Sequence, residues 1–251
     1  MIDFHSHILP EIDDGSRNIE ETYDMIKEAY EAGFTAIIST SHYIDGSYDC
    51  DKKTREELIS SIEEGLKEKN INIRIYNGAE AYVSRDLNLL VKENKLPTMN
   101  NSKYLLFELP MNTKVLFLED AIYNLLSINV VPIIAHPERY SFVQENPNML
   151  LDLIDKGVLF QMNYGSVSGL YGKEVKKTAI KLLKANMIHF LGSDAHRHHS
   201  IYSNIDELKS NIIKIIGEDK FKELSEENPN HVINNEDIEI KEPIRIKKFF
   251  F

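Results

Sequence analysis

The chain has 251 residues, 42% hydrophobic and 27% charged, which suits one α/β barrel or two small domains with a sizeable core. Its formal charge of −11 repels polyanions, so general binding to nucleic acid or to a membrane surface is disfavoured, although bound metal ions would still offer a phosphate a positive centre. The single cysteine, Cys50, allows no internal disulfide; the opening MIDFHSH is no signal peptide, and no apolar run approaches the ~20 residues needed to cross a bilayer, so a cytoplasmic protein without membrane insertion is expected.

Residues 2–7 read as a first strand that ends on His5 and His7, with Asp14 in the loop behind it. A helix over 19–32 places Tyr23, Ile26 and Tyr30 on one face, and Gly33 serves as its C-cap. The second strand, 35–42, ends on His42, and a helix over 54–69 carries Leu58, Ile62 and Leu66. The third strand, 73–81, carries Glu80 near its end, and the fourth, 104–109, carries Glu108. A helix over 116–128 leads to a fifth strand, 130–136, that ends on His136. A helix over 149–156, a strand over 159–163 and a helix over 173–186 follow. The seventh strand, 188–193, runs into Asp194 and His196, and a helix over 204–216 precedes a polar stretch from about 220 that is expected to wrap the barrel and end in Phe249, Phe250 and Phe251. Runs such as YLLFEL and VVPIIAH are nearly continuous apolar segments, the pattern of parallel strands buried on both faces. Seven alternations without a linker predict one barrel domain over residues 1–251.

The histidines and carboxylates fall in one place. His5, His7, His42, His136 and His196 lie at or just beyond strand C-termini, as do Glu80, Glu108 and Asp194, and in a barrel those ends converge on one face. Any one of them alone is most simply a satisfied polar residue, and Asp14 alone is a turn residue; recurrence at the same end of successive strands is what points to a site. His189 opens its strand at the opposite end, and His198, His199 and His231 read as surface residues. The His5-Ser6-His7 spacing puts two imidazoles on one side of a strand, where they can share an ion at about 2.0–2.1 Å. Mixed nitrogen and oxygen donors without thiolate suit Mn, Fe or Zn. Cysteine-based phosphatase chemistry is excluded, because it needs an arginine after five intervening residues and Glu56 stands there, Arg55 being one position short. There is no GxSxG elbow and no P-loop lysine motif.

In order, DFHSHILPEIDDG, ISTSHY, GAEAYV, FELP, AHPERY and SDAH resemble the polymerase-and-histidinol-phosphatase (PHP) superfamily and, within it, the bacterial tyrosine-protein phosphatases of capsule and exopolysaccharide operons. The resemblance spans about residues 1–200. It implies a distorted TIM-like (β/α)7 barrel of the PHP fold with up to three divalent ions, usually Mn2+, held by His5, His7, Asp14, His42, Glu80, Glu108, His136, Asp194 and His196. It implies hydrolysis of phosphotyrosine by a metal-bound hydroxide, with Arg139 on the phosphate and the tail of a bacterial tyrosine kinase as the substrate. Similar phosphatases carry a second phosphate-binding arginine further downstream; here Arg197 follows His196 directly, so it either takes that role from a shifted position or is a surface charge. The alternatives are a small-molecule phosphatase such as a histidinol phosphatase, a metal-dependent nuclease, against which the net charge counts, and a non-catalytic module that binds phosphoproteins.

Overall fold

A computed structural model describes residues 1–199 and 201–247; the three terminal phenylalanines lie outside them. Among the described residues, nine parallel strands form two ladders. Strands β1 (Ile2–Ser6), β2 (Ala36–Ser39) and β4 (Arg74–Asn77) make one, in that order. Strands β3 (His42–Tyr43), β5 (Glu80–Tyr82), β6 (Tyr104–Glu108), β7 (Val131–Ala135), β8 (Leu159–Asn163) and β9 (Phe190–Gly192) make the other.

The seven strands expected from the sequence become nine because two of them break. The run over 35–42 is interrupted at Thr40 and Ser41, and the run over 73–81 at Gly78 and Ala79. Hydrogen bonds carry the ladder through the gaps: Thr40 N–H donates to the Ser6 carbonyl at 2.9 Å, and Glu80 N–H to the Thr40 carbonyl at 2.9 Å. The ring closes where β9 meets β1. Asp194 N–H donates to the His5 carbonyl at 2.7 Å and His7 N–H to the Ala195 carbonyl at 2.9 Å. Gly192 permits this closure, since a Cβ there would sit 2.5 Å from the His5 Cβ. The result is a distorted (β/α)7 barrel, as the sequence led one to expect.

The helices are α1 (Ile19–Glu31), α2 (Lys52–Glu68), α3 (Leu87–Lys92), α4 (Leu118–Leu126), α5 (Ser141–Glu145), α6 (Met149–Asp155), α7 (Lys173–Lys184), α8 (Ile205–Ile216), α9 (Glu218–Lys222) and α10 (Asn228–Ile233). The α2 helix starts two residues before the expected point because Asp51 caps it, accepting from Thr54 N–H at 2.8 Å. The stretch after 217 is not simply polar wrapping. Through α9, a π-turn over Glu223–Glu227 and α10 it buries Phe221, Leu224, Val232 and Ile233. Only then does an extended segment run along the barrel, held by Asn186 on the Glu242 carbonyl and by Asn148 on both backbone groups of Ile246.

One side-chain row of each strand lines the barrel interior. At the floor these rows are apolar: Ile2, Phe4, Ile38, Leu106, Ile133, Leu159 and Phe190 pack with Val232 and Ile233, and the Phe4 and Phe190 rings stack at 4.0 Å. At the C-terminal ends the same rows turn polar, and that change creates the site.

Candidate metal centre

Continuing the interior rows upward gives most of the site directly. The row through Ile38 reaches His42, the row through Tyr76 reaches Glu80, and the row through Leu106 reaches Glu108. Two rows need help. In β1 the register against β2 slips between Asp3 and Ser6, and such irregularities re-aim side chains; His5 and His7, rather than Ser6, therefore continue inward from Phe4. At the end of β7, His136 adopts a left-handed backbone, φ 34° and ψ 56°, although it precedes a proline and would ordinarily be extended. Asp194 is also left-handed, at φ 55°. Non-glycine residues held in this region store strain of the sort that collects at functional sites.

The structure brings all nine predicted ligands to one mouth. Ligand atoms of His5, His7 and Glu80 lie within 4.8 Å of one another, as do those of His42, Glu80 and Glu108 and those of His7, Asp14, His42 and His196. Glu80 is the hub. Its Oε2 is 3.2 Å from His5 Nε2, 3.3 Å from His7 Nε2 and 3.2 Å from His42 Nδ1. Its Oε1 is 2.9 Å from His136 Nε2. Asp194 Oδ1 stands 3.6 Å from His5 Nε2 and 3.5 Å from His7 Nε2. Asp14, on the rim, lies 3.6 Å from His42 Nε2 and 3.5 Å from His196 Nε2.

The tautomers test whether cations fit. His5 Nδ1 faces the Gln161 Oε1 acceptor at 2.8 Å, and His7 Nδ1 faces Asp13 Oδ2 at 2.8 Å. Each Nδ1 therefore carries the proton, which leaves both Nε2 atoms as lone-pair donors. Yet those two Nε2 atoms face each other at 3.1 Å. Two neutral imidazoles would set lone pair against lone pair at that separation, so the contact calls for a positive charge between the rings, which a cation shared with Glu80 supplies. His196 is set the same way, its Nδ1 donating to the Asp194 carbonyl at 3.0 Å.

The electrostatics agree. Burial pushes the His7 imidazolium down, but the Asp13 and Glu80 carboxylates overcome this and hold its pKa well above the usual value. Burial, and then the charge of Glu80, raise the Glu108 carboxyl to about 8. His7 and Glu108 thus hold protons against the carboxylates around them, a task that divalent cations perform by displacing those protons.

Three residues that sequence reasoning did not single out shape the site. Asp13 orients His7 and accepts from His42 N–H at 2.7 Å, while Gln161 orients His5. Asn163 donates to Asp194 Oδ2 at 2.7 Å. Gly15 lets the Asp13 loop lie against β1, since a Cβ there would be 2.3 Å from the His7 carbonyl oxygen. The IDDG stretch hinted at Asp13, but choosing between its two aspartates required the fold.

The two arginines separate. Arg139 donates to Asp194 Oδ2 at 2.8 Å and lies over the Tyr171 ring, 4.9 Å from its centroid. Arg197 donates to the carbonyls of Asp14 and His196 at 2.7 Å each, and to that of Gly15. It thereby ties the Asp14 loop to the segment that carries His196. His189 is buried on the floor side, and His198, His199 and His231 pair with Glu21, Glu28 and Glu236.

Comparison with known proteins points the same way. The family model described as capsular polysaccharide synthesis, CpsB/CapC, matches residues 1–234. The chain is 34% identical over 196 residues to the tyrosine-protein phosphatase YwqE of Bacillus subtilis, covering 78% of this chain and 77% of that one. It is 33% identical over 238 residues to the tyrosine-protein phosphatase CpsB of Streptococcus pneumoniae, covering 93% and 98%. A crystal structure from work on YwqE and CpsB, described as unique metal-dependent tyrosine phosphatases, matches with a TM-score of 0.93 at 31% identity over 99% of this chain and 100% of that one. A Lactococcus lactis histidinol phosphate phosphatase shares the fold alone, with a TM-score of 0.53 at 16% identity over 85% of this chain and 93% of that one.

Proposed function

Because the chain belongs to the CpsB/CapC family of capsular polysaccharide synthesis, we propose that it is a metal-dependent protein-tyrosine phosphatase, with Mn2+ as its ion and the phosphorylated tail of a bacterial tyrosine kinase as its substrate. In this reading the ions are held by His5, His7, Asp14, His42, Glu80, Glu108, His136, Asp194 and His196, within one barrel domain that works in the cytoplasm. The observation that carries it is the pair of Nε2 atoms facing each other at 3.1 Å beside Glu80, each ring fixed by a hydrogen bond at its Nδ1.

Bound divalent ions supply Lewis acidity, which makes water a nucleophile near neutral pH, and positive charge, which draws in a phosphate dianion. The protein's own groups do the rest. Asp13 and Gln161 keep two imidazoles in the donor tautomer. Glu80, buried at the hub, keeps its carboxylate ionised despite burial because His5, His136 and His7 surround it. Arg139 offers a planar fork that can grip two phosphate oxygens at once. Its pairing with Asp194 aims the guanidinium at the mouth. Arg197 sets the position of the Asp14 loop. A phenol leaves with an intrinsic pKa of about 10, so phosphotyrosine asks little of a general acid, which suits a site whose titratable groups are committed to ions.

The test is a chelator-stripped preparation assayed on a phosphotyrosine peptide, a phosphoserine peptide, histidinol phosphate and single-stranded DNA, with Mn2+, Mg2+, Zn2+ or Fe2+ restored. Activity should vanish on stripping, return best with Mn2+ and favour the phosphotyrosine peptide. Full activity in metal-free protein overturns the reading.

A further inference from the structure

The two strand breaks that deliver His42 and Glu80 to the mouth bring several backbone carbonyls together. One buried side chain collects them. Arg55, on α2 and without accessible surface, donates through Nη1 to the carbonyls of Ser41 at 2.9 Å and Gly78 at 3.3 Å. It donates through Nη2 to the carbonyl of His42 at 2.7 Å, and through Nε to that of Cys50 at 2.9 Å. All four bonds go to main chain. Ser41 sits in the first break and His42 directly follows it, and Gly78 sits in the second, two residues before Glu80.

Burying a full charge without a carboxylate partner is costly, so a fold does not place an arginine here for stability alone when a smaller donor would serve. Only a planar fork reaches carbonyls on two neighbouring strands and on the loop behind them at the same time; a lysine presents a point charge with three donors. We propose that Arg55 is a positioning residue that clamps the two broken strands in register, so that His42 and Glu80 meet Glu108 at ligand distance. This rests on the reading that these three residues hold an ion. It acts through the backbone and touches neither ion nor substrate.

The experiment compares wild type, Arg55→Lys and Arg55→Met by metal analysis after equilibration with graded Mn2+, by titration calorimetry, and by circular dichroism and thermal unfolding. Outer-shell partners of metal ligands typically tune affinity by about 10- to 100-fold. The expected result is a folded Arg55→Lys protein whose weakest Mn2+ site is lost or weakened by about tenfold or more. Unchanged Mn2+ affinity and stoichiometry in a folded Arg55→Lys protein with a lowered Tm would make Arg55 a framework residue and overturn the proposal. Failure of Arg55→Lys to fold would overturn it equally, because a positioning role requires a fold that survives loss of the fork. Absence of Mn2+ binding in the wild type is a different outcome, which removes the metal reading itself.

Discussion

The floor and the mouth of this barrel are built by the same rows of side chains and obey opposite rules. At the floor, Phe4 and Phe190 stack at 4.0 Å within a closed apolar cluster, and each side chain is satisfied by its neighbours. At the mouth, a few residues along the same strands, imidazoles and carboxylates crowd so closely that their own lone pairs and charges oppose one another. The floor follows strict alternation. The mouth departs from it through a slipped register in β1, two broken strands, and left-handed backbone at His136 and Asp194. The difference teaches that this fold concentrates its irregularity where it binds and its regularity where it is held together.

The sharpest way to break that division is to change one residue in each half. Glu80→Gln removes the charge shared by four imidazoles, and it should abolish metal retention and turnover while circular dichroism stays that of the wild type. Phe4→Ala should do the reverse. It opens a cavity in the floor that costs about 3–5 kcal/mol of stability, read by urea unfolding of the stripped protein, while the folded fraction keeps its metal. A Glu80→Gln protein that retains full metal, or a Phe4→Ala protein that unfolds no more easily yet loses its ions, would mean that floor and mouth are not separable.

Much of this division was legible in the sequence. Strand ends showed as the last residues of apolar runs, so eight of the nine candidate ligands could be collected without knowing the register, and Asp14, in the loop after the first strand, came with the family resemblance. The strand breaks were not legible, because ISTSHY and NGAEAY read as continuous β segments. Nor were Asp13, Gln161, Asn163 and Arg55, which act by hydrogen bonds to groups distant in sequence; Gln161 and His5 are 156 positions apart. The helical plug after residue 217 was hidden because Phe221, Leu224, Val232 and Ile233 are scattered in a polar background.

A smaller effect is expected at the rim, between the two regimes. Arg139 is only partly covered and is already paired with Asp194. Arg139→Ala should lower kcat/KM on a phosphotyrosine peptide by roughly ten- to a hundredfold, the loss of one charge-assisted bond of about 1.5–3 kcal/mol. Metal content should be unchanged, and Arg139→Lys should recover part of the loss. Arg197→Ala should cost less, since its bonds go to the Asp14 loop. If Arg197→Ala is the more damaging of the two, the shifted arginine is the principal phosphate contact and Arg139 serves Asp194 instead.

The smallest effect is expected at Cys50. A thiol beside an arginine in a phosphatase invites a covalent mechanism, and Arg55 does lie next to it. The contact, however, runs from Arg55 Nε to the Cys50 carbonyl at 2.9 Å, not to the sulfur. The sulfur's own polar contact is a long one, 3.9 Å to the Asp51 carbonyl, which thiol and hydroxyl can both make. Burial pushes the thiol pKa up and the Arg55 charge only partly offsets it, so little thiolate is present near neutral pH, and thiolate is the nucleophilic form. Arg55 itself is committed to four carbonyls and cannot turn to a phosphate. Cys50→Ser keeps the carbonyl that matters and discards the sulfur that does not, so turnover and Mn2+ content should both match the wild type within experimental error. A folded Cys50→Ser protein with lost activity, or a phosphocysteine trapped by rapid quench, would move the chemistry out of the barrel mouth and into the loop before α2.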